Sequence, residues 1–175
     1  MKNSILMKFA VIAFLASLSA CGGGAGTLAG QANKETQIYG PLSAQEKELL
    51  GPDQDGNGVR DDVDAWIARK FPDATHRAQL TNSAQWMTWS MLRGYRGGKT
   101  SKVELNAWSS AVDCKFLISY GIYGESDVTG ADWRALIYNS KSRTLGFLKW
   151  DSTLNGSVSS SGVDPCRDLS PVSKP

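Results

Sequence analysis

The sequence predicts an all-α fold, a small bundle of four to five helices followed by an irregular C-terminal tail. Apolar residues recur at helical spacing in three long stretches, 74–93, 102–120 and 131–150. Helix-capping residues precede several of these stretches, and Gly and Pro separate them. Strand signals are weak, and no internal repeat points to a solenoid. The pattern therefore favours helices packed on helices around one core.

Two short helices are expected at the start of the folded part. Ser43 and Glu46 have the spacing of a capping box and open a helix over 43–50. A second helix is expected over 62–71, where apolar residues share one face. An Asp-rich loop at 53–64 joins the two helices, so a helix-loop-helix is predicted here.

Three longer helices are expected to form the body of the bundle. The stretch 74–93 is apolar over much of its surface, which suits a mostly buried helix. A glycine-containing loop follows at 94–99, and two further helices are predicted over 102–120 and 131–150. The tail 151–175 is rich in Ser, Gly and Pro, so it is expected to be mostly irregular.

Composition and charge argue against several classes of protein. The chain has 175 residues, of which 21% are charged and 41% hydrophobic, as in ordinary globular proteins. Its formal net charge of +2 is supplied by Lys2 and Lys8, in a segment that we expect to be removed. The remainder is near neutral, so no electrostatic feature favours nucleic-acid binding. Three cysteines without a CxxC pair, and one histidine, argue against zinc fingers and thioredoxin-like sites.

The first twenty residues have the features of a bacterial signal peptide. Lys2 and Lys8 give a positive start, and an apolar run extends from Phe9 to Leu18. A membrane-spanning helix needs roughly twenty apolar residues, so this run is too short to be a permanent anchor. Small residues follow the run, as a cleavage site requires. We therefore expect residues 1–20 to be a signal peptide.

The motif at the end of this run, Leu18-Ser19-Ala20-Cys21, resembles the lipobox of bacterial lipoproteins. The resemblance implies that the Cys21 thiol takes a diacylglycerol, that cleavage occurs just before it, and that the new amine is acylated with a fatty acid such as palmitate. Two or three acyl chains hold a protein firmly on a membrane, whereas one holds it weakly. The alternative is an ordinary secretory peptide whose cleavage happens to leave Cys21.

The residues after Cys21 suggest where the protein is sorted and how it is tethered. Gly22 resembles the outer-membrane sorting pattern of enteric Gram-negative lipoproteins, which implies a lipid anchor in the cell envelope, at the outer membrane, facing the periplasm or the cell surface. Residues 21–37 are rich in glycine, so they are expected to form a flexible tether. The folded domain is then expected at 38–175.

The loop at 53–64 carries oxygen donors at alternating positions. Calcium takes six to eight hard oxygen ligands, and a loop supplies them when oxygen side chains alternate along it. Gly58 stands where a sharp turn requires no side chain, and Val59 stands where only a backbone carbonyl is needed. The donors offered by this spacing are Asp53, Asp55, Asn57, the Val59 carbonyl, Asp61 and Asp64.

This spacing resembles two known calcium loops, the EF-hand loop, which also occurs in dockerins, and the thrombospondin type 3 repeat. The resemblance implies one calcium ion as cofactor, held by the donors just named. Asp64 stands where EF-hands have Glu, and Arg60 stands where they have an aliphatic residue. These two departures argue against a paired EF-hand with its short β-bridge, but they leave calcium ligation possible.

A metal-free polar turn is the alternative interpretation of the same loop. Asp61, Asp62 and Asp64 lie near a helix N-terminus, where each carboxylate is favourable by roughly 0.3–1 kcal/mol without metal. That alternative does not explain the alternating donors that precede them. With one evident site, the affinity is expected near 10⁻⁴–10⁻³ M and the role structural, fixing the angle between helices 43–50 and 62–71.

The two remaining cysteines, Cys114 and Cys166, are expected to form a disulfide. Cys21 is assigned to lipid, and the envelope is an oxidising compartment. The bond would attach the irregular tail to the helix at 102–120. The alternative is a reactive thiol, whose usual partner would be His76, the one histidine of the chain.

Two further groups of residues leave alternatives open. Six tryptophans are expected mainly in the core, although they would also suit a sugar or peptide groove. Arg93, Arg96, Lys99 and Lys102 flank the glycine loop and would suit phosphate head groups or acidic polymers, or simply a solvated loop.

The sequence favours a membrane-anchored envelope lipoprotein that binds one structural calcium ion and acts as a binding or scaffolding module. Its partners would be the membrane, through Cys21, and another envelope protein or a wall polymer. One alternative is an envelope hydrolase with an unrecognised carboxylate site, such as Asp61/Asp62 or Glu125/Asp127. Another is an inhibitor or immunity protein with a protruding loop at 94–101 or 121–130. No catalytic residue is identified.

Overall fold

The structure, a computed structural model, describes residues 38–122, 130–167 and 169–172, and at residues 121 and 122 it describes the backbone alone. Over these ranges it is helical without strands, which confirms the predicted all-α class. Six α-helices and one π-helical segment are present in this part of the chain: α1 Ala44–Leu50, α2 Asp61–Lys70, α3 Ala74–Arg96, α4 Lys102–Leu117, the π-helix Ile118–Ile122, α5 Gly130–Ile137 and α6 Lys141–Leu154. The predicted signal peptide, Cys21 and the tether lie outside the described residues.

Side-chain caps fix where most of these helices begin. In α1, Ser43 Oγ accepts from Glu46 N (3.2 Å) and Glu46 Oε2 accepts from Ser43 N (2.6 Å), so the predicted capping box is confirmed. Asp73 accepts from the backbone of α3, and Ser101 and Ser140 cap α4 and α6 in the same way. These bonds satisfy amide groups that have no partner within the helix.

Helix α3 forms the centre of the bundle and contacts all five other α-helices. Its buried face carries Trp86 and Trp89, whose rings lie 5.2 Å apart in an edge-to-face contact. Trp133 of α5 and Trp150 of α6 are fully buried against this core. The tryptophans therefore belong mainly to the core, and burying rings of this size is a large part of its stabilisation.

The single helix expected over 131–150 is two helices, which raises the number of helices above the expected four to five. Helix α5 ends at Ile137, and α6 begins at Lys141. Between them Ser140 Oγ accepts from Arg143 N (3.3 Å), and Thr144 Oγ1 donates to the Tyr138 carbonyl (2.9 Å). Such short-range bonds between side chains and backbone compete with a continuous helix, so the chain turns here.

Two other helix ends differ from the prediction. Helix α3 continues to Arg96, into the region expected to be a loop, and α6 continues to Leu154. The guanidinium of Arg96 binds Glu46 (2.6 Å) and the Tyr39 carbonyl (2.8 Å). These tertiary contacts hold the last turn of α3 in place, and the local sequence gives no indication of them.

The C-terminal tail is irregular, as predicted, and is attached to the bundle. Cys114 of α4 and Cys166 of the tail form a disulfide with their Cα atoms 4.7 Å apart, which confirms the predicted pair. Asn82 Nδ2 and Trp86 Nε1 of α3 both donate to the Ser170 carbonyl, at 3.2 and 3.0 Å. The tail therefore packs along α3 and α4.

Candidate metal centre

The Asp-rich loop lies between α1 and α2, as the sequence predicts, and it is closed at both ends. Gly51 N donates to the Lys47 carbonyl at the end of α1 (2.9 Å). Asp61 N, at the start of α2, donates to the Pro52 carbonyl (2.9 Å). The first bond ends α1, and the bond between Asp61 and Pro52 brings the two ends of the loop together.

Glycines allow the tight turn in the middle of the loop. Gly56 and Gly58 have φ angles of 66° and 82°, in the left-handed region that L side chains rarely adopt. A Cβ at position 58 would also lie 3.0 Å from Ile38 Cδ1 and 3.2 Å from Tyr39 Oη. The Val59 side chain, by contrast, is in the core and only 1% exposed. The turn expected at Gly58 is therefore present.

The carboxylate of Asp53 turns back into the loop. Its Oδ1 accepts from Asn57 N (3.1 Å) and its Oδ2 accepts from Gly58 N (2.8 Å). Burial and, to a smaller extent, the nearby carboxyl of Asp55 raise the pKa of Asp53 to about 6, although the two backbone amides act to lower it. Asp53 is thus a crowded carboxyl group in a partly buried position.

The side-chain amide of Asn57 lies between two other carboxylates. Its Nδ2 donates to Asp55 Oδ2 (3.1 Å) and to Asp64 Oδ2 (2.8 Å), while its Oδ1 accepts from Val59 N (2.7 Å). Burial raises the pKa of Asp64, and the charges of Asp55 and Asp61 add to the rise. One amide nitrogen therefore bridges two carboxylates that would otherwise repel each other.

The two other acidic residues of this region have different partners. Asp61 Oδ1 accepts from Gln54 N (2.8 Å) on the outer side of the loop. Asp62 forms an ion pair with Arg60, whose guanidinium also donates to the last carbonyl groups of α5. Asp62 thus helps to join the loop to α5, and Asp61 and Asp62 both line a cavity of about 450 Å³.

Two residues outside the predicted motif support the loop. Tyr39 Oη donates to the Gly58 carbonyl (2.6 Å), and Gln85 Nε2 of α3 donates to the Asn57 carbonyl (2.6 Å). The residues joined by these two bonds are 19 and 28 positions apart in the sequence. They hold the loop against the bundle, and a motif of consecutive residues gives no signal of them.

The donor set suits a hard cation, but the side chains as they stand do not surround one. Among the described residues, no group of three or more His, Cys, Asp or Glu side chains is arranged to hold a metal ion. The structure instead brings Asp53, Asp55 and Asp64 to Asn57, while Asp61 binds the outer side of the loop. All of these donors are oxygens, as calcium requires.

Calcium binding would require a small rearrangement around Asn57. Its amide NH₂ group faces the carboxylates of Asp55 and Asp64, and a ligand would have to present the carbonyl oxygen instead. A cation between the carboxylates would replace the stabilisation that this NH₂ group supplies. The chemistry of the donor set therefore fits calcium, with Asn57 turned about its side-chain bonds.

The basic residues around the glycine loop are partly engaged in the fold. Arg93 Nη2 donates to Glu104 Oε1 (2.7 Å), and Arg96 binds Glu46. These two arginines join α3 to neighbouring helices, which leaves less positive charge for a phosphate or an acidic polymer. Of the four basic residues singled out from the sequence, Lys99 and Lys102 line a separate cavity of about 460 Å³.

Comparison with protein-family models, with curated proteins and with solved structures finds no significant match to this chain. Within the described ranges, no helix is both long enough and apolar enough to cross a membrane.

Proposed function

We propose that this chain is a membrane-anchored lipoprotein of the bacterial cell envelope, that its domain binds one structural calcium ion, and that it serves as a binding or scaffolding module. The lipobox ending in Cys21 supports the anchor. The observation that carries the calcium part is the approach of three carboxylates to Asn57, Asp53 at its backbone amide and Asp55 and Asp64 at its side-chain amide. Three carboxylates gathered in this way are stable together only if positive charge or donors separate them.

The proposed ligands are those that the loop spacing offers: Asp53, Asp55, Asn57, the Val59 carbonyl, Asp61 and Asp64. The bound ion would neutralise the carboxylates and would tie the start of α2 to the loop that follows α1. Tyr39 and Gln85 would then hold the calcium-bound loop against the rest of the bundle through their hydrogen bonds to the loop backbone. We assign a structural role because Tyr39 and Gln85 bond the loop to the rest of the bundle.

Isothermal titration calorimetry with CaCl₂ tests the calcium site. The mature chain, residues 21–175 with Cys21→Ser, should bind one equivalent with a dissociation constant near 10⁻⁴–10⁻³ M. Asp53→Asn and Asp64→Asn should each weaken binding at least tenfold, whereas Asp151→Asn, an exposed residue of α6, should leave it unchanged. Absence of binding by the parent protein, or equal binding by all variants, would contradict the proposal.

Membrane fractionation tests the anchor separately. Expressed from the full sequence in a Gram-negative host, the protein should be found with the membranes and should incorporate labelled palmitate. Cys21→Ser should abolish both the membrane association and the label. If the Cys21→Ser protein still sediments with membranes, the anchor is not the lipid proposed here.

A further inference from the structure

A cavity of about 470 Å³ lies between the first half of α4 and the C-terminal tail. Its walls include Asn106 and Ser110 of α4 and two tail segments, 160–162 and 170–171, and the Trp86 side chain lies at its base. This volume is within the range of roughly 300–1,000 Å³ that small-molecule sites occupy. None of these residues belongs to the Asp-rich loop.

The hydroxyl group of Ser110 is available to a ligand in this cavity. Ser110 lines the cavity, is 6% exposed, and has no hydrogen-bond partner among the described residues. Ser83 and Ser90, buried serines of α3, are both hydrogen-bonded, Ser83 to the Ala111 carbonyl (2.6 Å). The Ser110 oxygen is not among the fully buried, unpartnered side-chain atoms of the described residues, so it reaches the open cavity, where a hydroxyl group of a ligand can bond to it.

The cavity has neutral polar groups and carbon surface but no free charge among its described residues. Glu104 is its one ionisable residue, and its two oxygens accept from Arg93 Nη2 (2.7 Å) and Ser101 N (2.7 Å). The Asn106 amide and the serines at 160 and 161 add neutral hydrogen-bonding groups, and Trp86, Val103 and Pro171 add apolar surface. This lining does not suit a phosphate, a carboxylate or a metal ion.

The tail that forms the outer wall is fixed at several points. The disulfide holds Cys166 to α4, and Trp86 Nε1 donates to the Ser170 carbonyl (3.0 Å). Nearer the other end, Ser160 N donates to Asn106 Oδ1 (3.3 Å). The cavity is therefore preformed, which lowers the entropic cost of binding a ligand.

We propose that this cavity binds an uncharged sugar of one or two rings. A sugar ring offers hydroxyl groups along its edge and C–H groups on its faces, which match the neutral polar groups and the carbon surface of the lining. Ser110 would bond to a ring hydroxyl. This assignment rests on the proposed function, in which the domain is a binding module and a wall polymer is one candidate partner.

Calorimetric titration with N,N′-diacetylchitobiose and with methyl α-glucoside tests the proposal on the mature chain carrying Cys21→Ser. At least one of these neutral sugars should bind, and glucose 6-phosphate should not. Ser110→Ala should weaken sugar binding about tenfold, the loss of roughly one hydrogen bond. Ser109→Ala, a change at the preceding residue of α4, which does not line the cavity, should leave binding unchanged.

Ser161→Phe provides a second variant that does not depend on helix packing. Ser161 lies in the irregular tail and lines the cavity, so a phenyl ring there should fill it and abolish sugar binding while the melting temperature stays unchanged. The proposal is overturned if neither neutral sugar binds at 10 mM, if Ser161→Phe binds as the parent does, or if an uncharged tripeptide binds instead. Calcium titration of the same samples shows separately whether the proposed metal site holds.

Discussion

Lys115 of α4 places an amine in the apolar core and is only 2% exposed. Its Nζ lies 4.0 Å from the centre of the Phe116 ring and 5.9 Å from that of Trp133. Burial and, to a smaller extent, the charge of Arg134 lower the pKa of Lys115 to about 8, although Asp113 acts to raise it. The two aromatic rings compensate only in part for the lost hydration.

Lys115→Met should therefore stabilise the domain at neutral pH. In the parent protein the unfolded chain binds a proton at Lys115 more tightly than the folded one does, so stability should rise by about 3 kcal/mol as the pH increases from 8 to 10.5. The Met variant should lack this rise, whereas Lys149→Met, at an exposed position, should retain it. Urea unfolding at a series of pH values measures this rise in stability, and an equal rise in both variants would contradict the prediction.

Glu46→Gln should remove an acid-sensitive contribution to stability. The Arg96 guanidinium beside Glu46 lowers the pKa of that carboxyl to about 2, and burial opposes the shift. Because the pKa of Glu46 is lowered in the folded protein, its contribution to stability is present above about pH 4.5 and is lost as the pH falls towards 2. The substitution should cost about 2 kcal/mol at pH 7 and much less at pH 3, by urea unfolding. Glu48→Gln, exposed on the same helix, should cost little at either pH.

At the scale of whole elements, α3 and α6 approach each other closely at two glycines. A Cβ on Gly94 would lie 1.8 Å from the Gly146 carbonyl oxygen and 2.7 Å from Trp150 N. A Cβ on Gly146 would lie 2.8 Å from the Met91 carbonyl oxygen. Because these obstacles are backbone atoms, they cannot move aside without separating the two helices.

Gly94→Ala should therefore destabilise the domain although it adds a better helix former. The gain in helix propensity is about 1 kcal/mol, and the cost of separating the helices is about 3 kcal/mol or more. Gly97→Ala is the control, because nothing lies within 4 Å of its added Cβ, and its φ of 76° adds a cost of about 1 kcal/mol. Urea unfolding compares the stability of the two variants. A smaller loss of stability in Gly94→Ala than in Gly97→Ala would show that the helices do not meet as described.

The disulfide joins the tail to α4 and is expected to matter for stability. Cys114 and Cys166 are separated by 52 residues, so their bond removes about 4 kcal/mol of chain entropy from the unfolded state. A double Cys114→Ser, Cys166→Ser variant should lose about that amount in urea unfolding at neutral pH. It should also release the tail, seen as faster hydrogen exchange in residues 157–167. An unchanged midpoint would mean that the tail packing alone is sufficient.

For the whole molecule, local sequence signals predicted the helices much better than the way in which the helices pack together. The capping box at Ser43 could be predicted because it depends on residue type and spacing alone, and the disulfide because two cysteines remain once Cys21 is assigned to lipid. The turn near Ser140 was missed because its neighbourhood keeps the apolar spacing of a helix, and only bonds such as that of Thr144 to the Tyr138 carbonyl show the break. Sequence spacing also gives no sign of long-range contacts such as the approach of Gly94 to Gly146.

The candidate site was likewise only partly predictable from the sequence. The alternating oxygen donors of the loop were evident from its spacing, and so was the need for Gly58 at the turn. The supports from Tyr39 and Gln85 were not, because they come from distant parts of the chain. Nor does the motif indicate that the amide of Asn57 separates two carboxylates. A motif specifies which atoms are available, whereas the fold decides how they are held.

Thermal unfolding of the mature chain, carrying Cys21→Ser, with and without calcium tests the central claim most directly. With a dissociation constant near 10⁻⁴–10⁻³ M, 5 mM calcium should add about 1–2 kcal/mol of stability. The melting temperature should then rise by roughly 3–8 °C over its value in EDTA, and Asp53→Asn should not show this rise. The same melting temperature in EDTA and in calcium would contradict the account, and the loop would then be a polar turn that needs no metal.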